Sequence, residues 1–371
     1  MCTLKVAIIH DWLTGMRGGE RCLEVFCELF PEAHLYTLLH IPGSVSPAIE
    51  RMPIRKSFIQ GLPFAKRSYR SYLPLFPMAI ESFNLKGYDL ILSCSHCVAK
   101  GIISPPGGVH ISYVLTPMRY AWDMYWEYFG KRRSRWIPIF MHYLRMWDVT
   151  SSQRVDSFLC ISKHVENRIK KYYRREAEVI PPPVDVRRFR LGEKKEDFFL
   201  IVSSFAPYKR IDIAIEAFNR LKYPLRIIGS GAEEKKLRSM AGPNVVFLGW
   251  QRDEVVADSY SKCRAVIFPG EEDFGIVPLE AMASGKPVIA YGRGGVLETV
   301  IPPDGRGEPG KGDPTGLFYY EENAHSLIGA VDQFIRIEKD FDPSRIRNHA
   351  LQWDRTGFKE KMKRSLKNVS I

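Results

Sequence analysis

Phe268-Pro-Gly-Glu-Glu-Asp-Phe-Gly-Ile-Val-Pro-Leu-Glu-Ala-Met-Ala-Ser-Gly-Lys-Pro-Val-Ile-Ala290 is the stretch that decides the fold. An apolar run, Ala265–Pro269, leads into a glycine-containing loop. A helical pattern sets in at Pro278 and continues from Leu279 to Ala283, and a second apolar run follows at Pro287–Tyr291. Strand, loop, helix and strand in close succession spell a βαβ unit, whose strands lie parallel and are covered on both faces. Proline suits a first helical turn, where its missing N–H removes no bond. The N–H groups from Phe274 to Val277 then stand free at the sheet edge. With the helix dipole behind them, they form a site for anions or hydroxyls. Glu272 and Glu280 bracket the loop. Carboxylates repel phosphate but accept hydrogen bonds from hydroxyls. Two of them around an anion site fit a ligand with a diphosphate in the middle and a polyol at each end, which describes a nucleotide sugar. The bland reading makes Glu280 a helix-start acid and Glu272 a solvated loop residue.

Working outward, the same alternation recurs. Upstream in the second half, strands are expected at Phe198–Phe205, Leu225–Gly229 and Val245–Gly249, with helices at Ile211–Leu221 and Glu233–Ala241. In the first half they are expected at Lys5–His10, Asp89–Cys94, His110–Leu115 and Ser157–Ile161. This predicts an α/β chain of two doubly wound, Rossmann-like domains. The 371 residues also exceed one ordinary core. The three prolines in Val179–Asp185 break any helix and mark the join. The expected boundaries are 1–180, 181–352, and a terminal helical segment, 353–371, with Phe358 and Met362 at i, i+4 spacing.

Open α/β sheets bind ligands beyond the carboxyl ends of their strands. Two more second-half loops sit at such ends. Ser204-Phe-Ala-Pro-Tyr-Lys-Arg-Ile-Asp212 places Lys209 and Arg210 at a helix start, either as a phosphate site or as a solvated basic turn. Gly229-Ser-Gly231 serves either a tight turn or close approach of a nucleotide to the backbone.

Composition narrows the function classes. Hydrophobic content of 45% and charged content of 26% are those of a soluble globular protein, and no apolar run reaches the roughly 18–20 residues of a membrane helix. The N-terminus reads as a first strand rather than a signal peptide, so the cytosol is the expected compartment. Seven scattered cysteines suggest reduced thiols. Cys94 and Cys97 have CxxC spacing but no second pair to complete a zinc site, and no metal is expected; the two read as thiols in a loop after a strand. The net charge of +12 is uneven: residues 1–180 hold 24 Lys and Arg against 15 Asp and Glu. A basic first half suits an anionic partner. Nothing matches a zinc finger, an RNP motif or a basic zipper, so nucleic acid is not the expected partner.

Glu272-x7-Glu280 with Ala281-Met-Ala-Ser-Gly-Lys-Pro-Val-Ile-Ala290 resembles glycosyltransferase family 4. So do Pro207-Tyr-Lys-Arg-Ile-Asp-Ile-Ala-Ile-Glu-Ala-Phe218 and Gly294-Gly-Val-Leu-Glu-Thr299. The resemblance implies the GT-B architecture, two Rossmann-like domains facing across a cleft, with the C-terminal helix crossing back to the first. It implies retaining transfer of a hexose from a nucleoside diphosphate donor without a cofactor or bound metal. On that resemblance Lys209 neutralises the donor diphosphate and Glu272 contacts the transferred sugar. Glu280 holds the ribose, and the amides of Phe274, Gly275, Ile276 and Val277 bind sugar and phosphate oxygens. Ser204, Arg210, Gly229 and Gly231 complete the expected donor set. Ser204 departs from the family, where many relatives have arginine, leaving Lys209 as the main phosphate cation.

The first half reads as the acceptor half. Gly15-Met-Arg-Gly-Gly-Glu20, with Gly18 and Gly19, resembles the family's N-terminal glycine loop. Thr116-Pro-Met-Arg-Tyr-Ala-Trp-Asp123 resembles a subgroup that includes bacterial polysaccharide mannosyltransferases, which points to GDP-mannose as donor and a surface polysaccharide such as lipopolysaccharide, or a lipid-linked saccharide, as product. Arg119 and Asp123 serve either that site or a plain i, i+4 helix pair. Leu115 stands where many relatives carry a histidine; His96 is the residue to fill that space. Lys131-Arg-Arg-Ser-Arg-Trp136, after a run of aromatic residues, suits peripheral contact with an acidic inner membrane face, or is simply a solvated charge run. UDP-sugar transfer, sugar-nucleotide epimerisation and, from the charge alone, nucleic-acid binding are the rival readings.

Overall fold

The computed structural model describes residues 4–130, 134–192, 196–303 and 313–368. Two compact units share the chain. The first runs to Pro183 and takes up the chain again from Phe358; the second is Val184–Gly357.

In the first unit the described residues form seven parallel strands: β1 (Val6–His10), β2 (His34–Thr37), β3 (Ile54–Lys56), β4 (Leu90–Ser95), β5 (Val109–Val114), β6 (Ser157–Cys160) and β7 (Glu178–Val179). Their order is β3-β2-β1-β4-β5-β6-β7. In the second unit six parallel strands follow: β8 (Phe199–Val202), β9 (Leu225–Ile228), β10 (Val245–Gly249), β11 (Val266–Phe268), β12 (Val288–Tyr291) and β13 (Gly316–Tyr319), in the order β10-β9-β8-β11-β12-β13. The chain is therefore α/β with two Rossmann-like domains. Among the described residues no helix is long and apolar enough to cross a membrane.

Burial explains the strand choice. All five residues of β1 and all six of β4 are buried, so each strand is an uninterrupted low-polarity run. On one side of the first sheet, helix Gly18–Leu29 buries Cys22, Leu23, Val25 and Phe26. The terminal helix, Arg355–Asn368, covers the same side. Phe358 stacks on Phe26 at 6.0 Å and meets Tyr113 edge-on at 5.7 Å, while Met362 and Leu366 are buried one and two turns on. Lys359 pairs with Glu28 at 2.6 Å. Each sheet reverses its winding once, between β1 and β4 and between β8 and β11, which opens a crevice at the carboxyl ends of those strands.

His110, on β5, makes the first unit acid-sensitive. Its ring is buried, with Nε2 2.9 Å from Ser93 Oγ; burial, then Lys100 and Arg154, push its pKa down to about 3. The unfolded chain binds this proton near pH 6.5, so between those values unfolding takes up a proton. The stability of the neutral ring is present above pH 6.5 and is lost as pH falls toward 3. About 2 kcal/mol is expected to be lost at pH 5 from this group. Urea unfolding at pH 7 and pH 5 checks it: His110→Gln should flatten the difference, and an unchanged difference refutes the assignment.

Candidate functional site

The second unit builds its site from three loops at the carboxyl ends of β8, β11 and β12. The helix after β11 is Ile276–Ala283, capped by Gly275 at φ +88°. It starts before Leu279, so Pro278 is its third residue, still within the turn whose N–H groups have no intrahelical acceptor. The loops can interleave only because glycines leave room. A Cβ on Gly270 would lie 2.7 Å from the Tyr208 carbonyl oxygen and 2.8 Å from Lys209 Cα. One on Gly294 would lie 2.3 Å from the Glu272 carbonyl oxygen. Gly295 N–H donates to that same carbonyl at 2.8 Å, and Glu272 and Gly294 form an isolated parallel bridge.

This packing brings Lys209 and Glu272, 63 positions apart in sequence, into a direct ion pair, with side chains 13% and 22% exposed. The pair sits at the β8/β11 switch point beside the Gly275 helix start. Phe274 is buried, and Ile276 and Val277 are half-buried. A cation, a carboxylate and a helix N-terminus thus share one crevice, where they can meet an anion and a hydroxyl-bearing group together.

Glu280 lies one turn along the same helix, half-buried, and its carboxylate accepts a hydrogen bond from the Tyr260 hydroxyl at 3.2 Å. Tyr260 is fully buried, and burial, then Glu280, raise its pKa well above the usual phenol range, so it stays a donor. Sequence reasoning missed Tyr260; a tyrosine inside an amphipathic helix carries no signal of its partner. Arg210 faces elsewhere: its guanidinium pairs with Glu322 and lies 3.4 Å from Asp212. Ser204 is exposed in the loop after β8. At Gly229 and Gly231 the reason for glycine is the backbone itself, because a Cβ would fall 1.8 Å from the Ser203 carbonyl oxygen and 2.6 Å from that of Phe205. Two surface cavities in this unit, of about 530 and 330 Å³, are not lined by Lys209 or Glu272, though the smaller reaches Arg210 and Glu322.

The first unit organises its own switch point around Asp11, which sequence reasoning also missed. Asp11 follows β1 and is fully buried. Its Oδ2 accepts from the backbone N–H groups of His96 (2.8 Å) and Cys97 (2.9 Å), and its Oδ1 from those of Val98 (2.6 Å) and Ala99 (2.8 Å). His96 Nδ1 lies 3.1 Å from the same carboxylate, and its ring stands edge-on to Trp12 at 4.5 Å. Burial, opposed by Asp11, lowers the His96 pKa. Its side chain remains 26% exposed, so Nε2 is the end a ligand could reach. Next to it, His10 Nε2 is 3.5 Å from Glu20 Oε1. Burial alone would raise the Glu20 pKa, but His10 and His96 together hold it below the usual carboxylate value. Gly18 and Gly19 open the helix that carries Glu20. A Cβ on Gly19 would meet Leu115 Cδ1 at 2.6 Å, so Leu115 closes directly over the glycine turn.

Thr116–Asp123 forms turns, not helix, so Arg119 and Asp123 are not an i, i+4 helix pair. Asp123 pairs instead with Arg168 at 2.5 Å, and Arg168 also donates to Thr116 Oγ1 at 2.7 Å and to the Pro117 carbonyl at 3.1 Å. Cys94 lies within β4 rather than in a loop. Both thiols of the CxxC pair are buried, which raises their pKa well above the ordinary thiol value, and Cys97 Sγ sits 2.9 Å from the Tyr120 hydroxyl. Among the described residues no group of three or more His, Cys, Asp or Glu could hold a metal ion. In the basic run, residues 131–133 lie outside the described residues.

Residues 184–353 match the family model of glycosyl transferases group 1. That span is nearly the whole second unit, including Lys209, Glu272 and Glu280. An uncharacterized glycosyltransferase of Methanocaldococcus jannaschii is 33% identical over 39% of this chain and 43% of its own length. The O-antigen chain mannosyltransferase C of Escherichia coli is 36% identical over 26% of this chain and 28% of its own length. A GDP-mannose-dependent alpha-mannosyltransferase of Mycolicibacterium smegmatis is 36% identical over 27% of each chain. The chain thus spans less than half the length of these relatives. Among solved structures, sucrose-phosphate synthase from Thermosynechococcus elongatus superposes with a TM-score of 0.75 at 17% identity, over 99% of both chains. Anabaena HepE, solved in complex with UDP, gives 0.71 at 16% identity over 98% of this chain and 100% of its own. These two share with this chain a fold of two Rossmann-like domains.

Proposed function

We propose that this protein is a glycosyltransferase that moves a hexose from a nucleoside diphosphate sugar to a saccharide acceptor, with retention at the anomeric carbon. The observation that carries the reading is the Lys209–Glu272 pair beside the Gly275 helix start. Breaking the bond between sugar and diphosphate develops negative charge on the leaving group. Lys209 and the amides of residues 274–277 supply preorganised positive charge there, a role the reading gives to them rather than to a metal ion. Glu272 takes hydroxyls of the transferred sugar, and Glu280, oriented by Tyr260, takes the ribose. The first unit then holds the acceptor, with His96 and the Gly18–Gly19 turn on its crevice.

Mannose from GDP-mannose is the preferred donor, supported by the mannosyltransferases among the relatives and by the Thr116–Asp123 segment. A UDP-sugar is the second reading, favoured by HepE, whose solved complexes contain UDP and glucose. The acceptor fitting this reading is a surface polysaccharide precursor or lipid-linked saccharide. A thermal-shift panel with GDP, UDP, ADP and their sugars tests the donor, because a ligand at 100 times its Kd stabilises the folded state by about 2.7 kcal/mol. The expected result is a shift with GDP and GDP-mannose. A shift with UDP alone selects the second reading, and none with any nucleotide overturns the donor site. Incubation with donor alone adds a check, since a change of sugar configuration without acceptor would make the chain an epimerase.

A further inference from the structure

Two stretches of the first unit, 58–81 and 134–152, cover one face of its sheet. Ile59 and Phe76 from the one, Met141 and Leu144 from the other, share a single buried cluster with Ile9 of β1. Elements that bury their inner sides in one core turn their outer sides away from the same face of the sheet. Those outer sides are apolar and basic together. Helix Trp136–Ser152 exposes Trp136 (76%), Ile139 (49%), Tyr143 (61%) and Met146 (46%), spaced i, i+3, i+7 and i+10, which is one stripe along its length. On the neighbouring stretch Phe64 is 79% exposed at φ +53°, the left-handed region that phenylalanine rarely occupies, and Met78 is 55% exposed. Lys66, Arg67, Arg70 and Arg135 are exposed around them. The only acids in these two stretches are Glu81, paired with Arg154 at 2.6 Å, and Asp148, buried against Lys100 at 2.8 Å.

We propose that this face seats the first unit on an anionic lipid bilayer. Aromatic rings settle at the boundary of headgroups and acyl chains, while lysine and arginine beside them meet lipid phosphates. The other partners fit half of the face. An apolar protein surface would match the Trp136–Met146 stripe and leave the cations facing it, and a nucleic acid would match the cations and leave Phe64 and Trp136 unburied. The face is separate from the Lys209–Glu272 site, so the inference stands or falls apart from the donor reading.

Flotation of the full chain with phosphatidylcholine vesicles, with and without phosphatidylglycerol, tests it. The wild-type chain should float with the anionic vesicles only and be released by salt. Each cation near such a surface contributes about 1 kcal/mol, so Lys66→Glu with Arg67→Glu and Arg70→Glu should lower partitioning by about 100-fold or more. Phe64→Ser with Trp136→Ser should also release the protein at unchanged charge. Unchanged thermal unfolding of both variants shows that they fold. Failure of the wild-type chain to float with anionic vesicles, or flotation indifferent to both sets of substitutions, overturns the proposal. So does a wild-type dimer in sedimentation that the Phe64 and Trp136 changes dissociate without affecting flotation, which would make the face a contact between copies.

Discussion

Lys209→Ala is expected to lower kcat for sugar transfer by about 100- to 1,000-fold, the usual effect of removing one preorganised stabiliser of a developing anion. The protein should stay folded, because the residue sits at the rim of the second sheet and none of the core depends on it. Glu272→Ala should cost a similar factor for a different reason. Lys209 and Glu272 hold each other in the crevice, so removing the carboxylate frees the ammonium for phosphate. Affinity for the bare nucleoside diphosphate should therefore hold or rise in Glu272→Ala and fall in Lys209→Ala. Turnover falls in both.

That split separates the proposed chemistry from a structural role. If the pair only tied the loops after β8 and β11 together, removing either partner would leave the other charge partly buried and unpaired. Both variants would then lose stability, with nucleotide affinity falling alike. Steady-state kinetics with donor and acceptor, calorimetry with the diphosphate, and thermal unfolding distinguish the outcomes. Near-normal turnover in both variants would refute the site.

The fold was legible where burial imposes a long apolar run. β1, β4, β11 and β12 announce themselves because parallel strands covered on both faces tolerate little polarity. β2, β3, β7 and β13 did not, because polar residues or glycine interrupt them (His34 and Thr37, Arg55 and Lys56, Glu178, Gly316), and they exist through pairing with a neighbour. Lys209, Glu272 and Glu280 could be picked out as candidates because charged residues at strand ends stand out against apolar surroundings. Their mutual geometry could not. It depends on Gly270, Gly294 and Gly295, whose lack of a Cβ admits one loop against another. The Arg119–Asp123 spacing misled because i, i+4 has meaning only within a helix, and that segment follows its strand as turns held by Arg168. Asp11 carries no local signal, since its four donors come from a segment 85 to 88 positions away.

Asp11→Ala should therefore be the most destabilising single change in the first unit. Four backbone N–H groups converge on one buried carboxylate, two on each oxygen. Hydrogen bonds to a charged group contribute about 1.5–3 kcal/mol each, and a buried donor left without a partner costs about 1–3 kcal/mol. The four share one acceptor and do not add fully, so a loss on the order of 5 kcal/mol is expected, at the upper end of single-residue effects. Asp11→Asn should lose roughly half as much, because one oxygen can keep two donors while the amide turns its own N–H groups toward the other two. Urea unfolding followed by tryptophan fluorescence reads the first unit well, since Trp12, Trp122, Trp126, Trp136 and Trp147 lie in it and only Trp250 and Trp353 in the second. The same substitution releases His96, whose Nδ1 lies against Asp11. Asp11→Asn, if it folds, should thus lose acceptor affinity while nucleotide affinity in the second unit is kept. A stability loss below about 1 kcal/mol in Asp11→Ala, the scale of one ordinary neutral hydrogen bond, would show that the carboxylate does not organise this crevice.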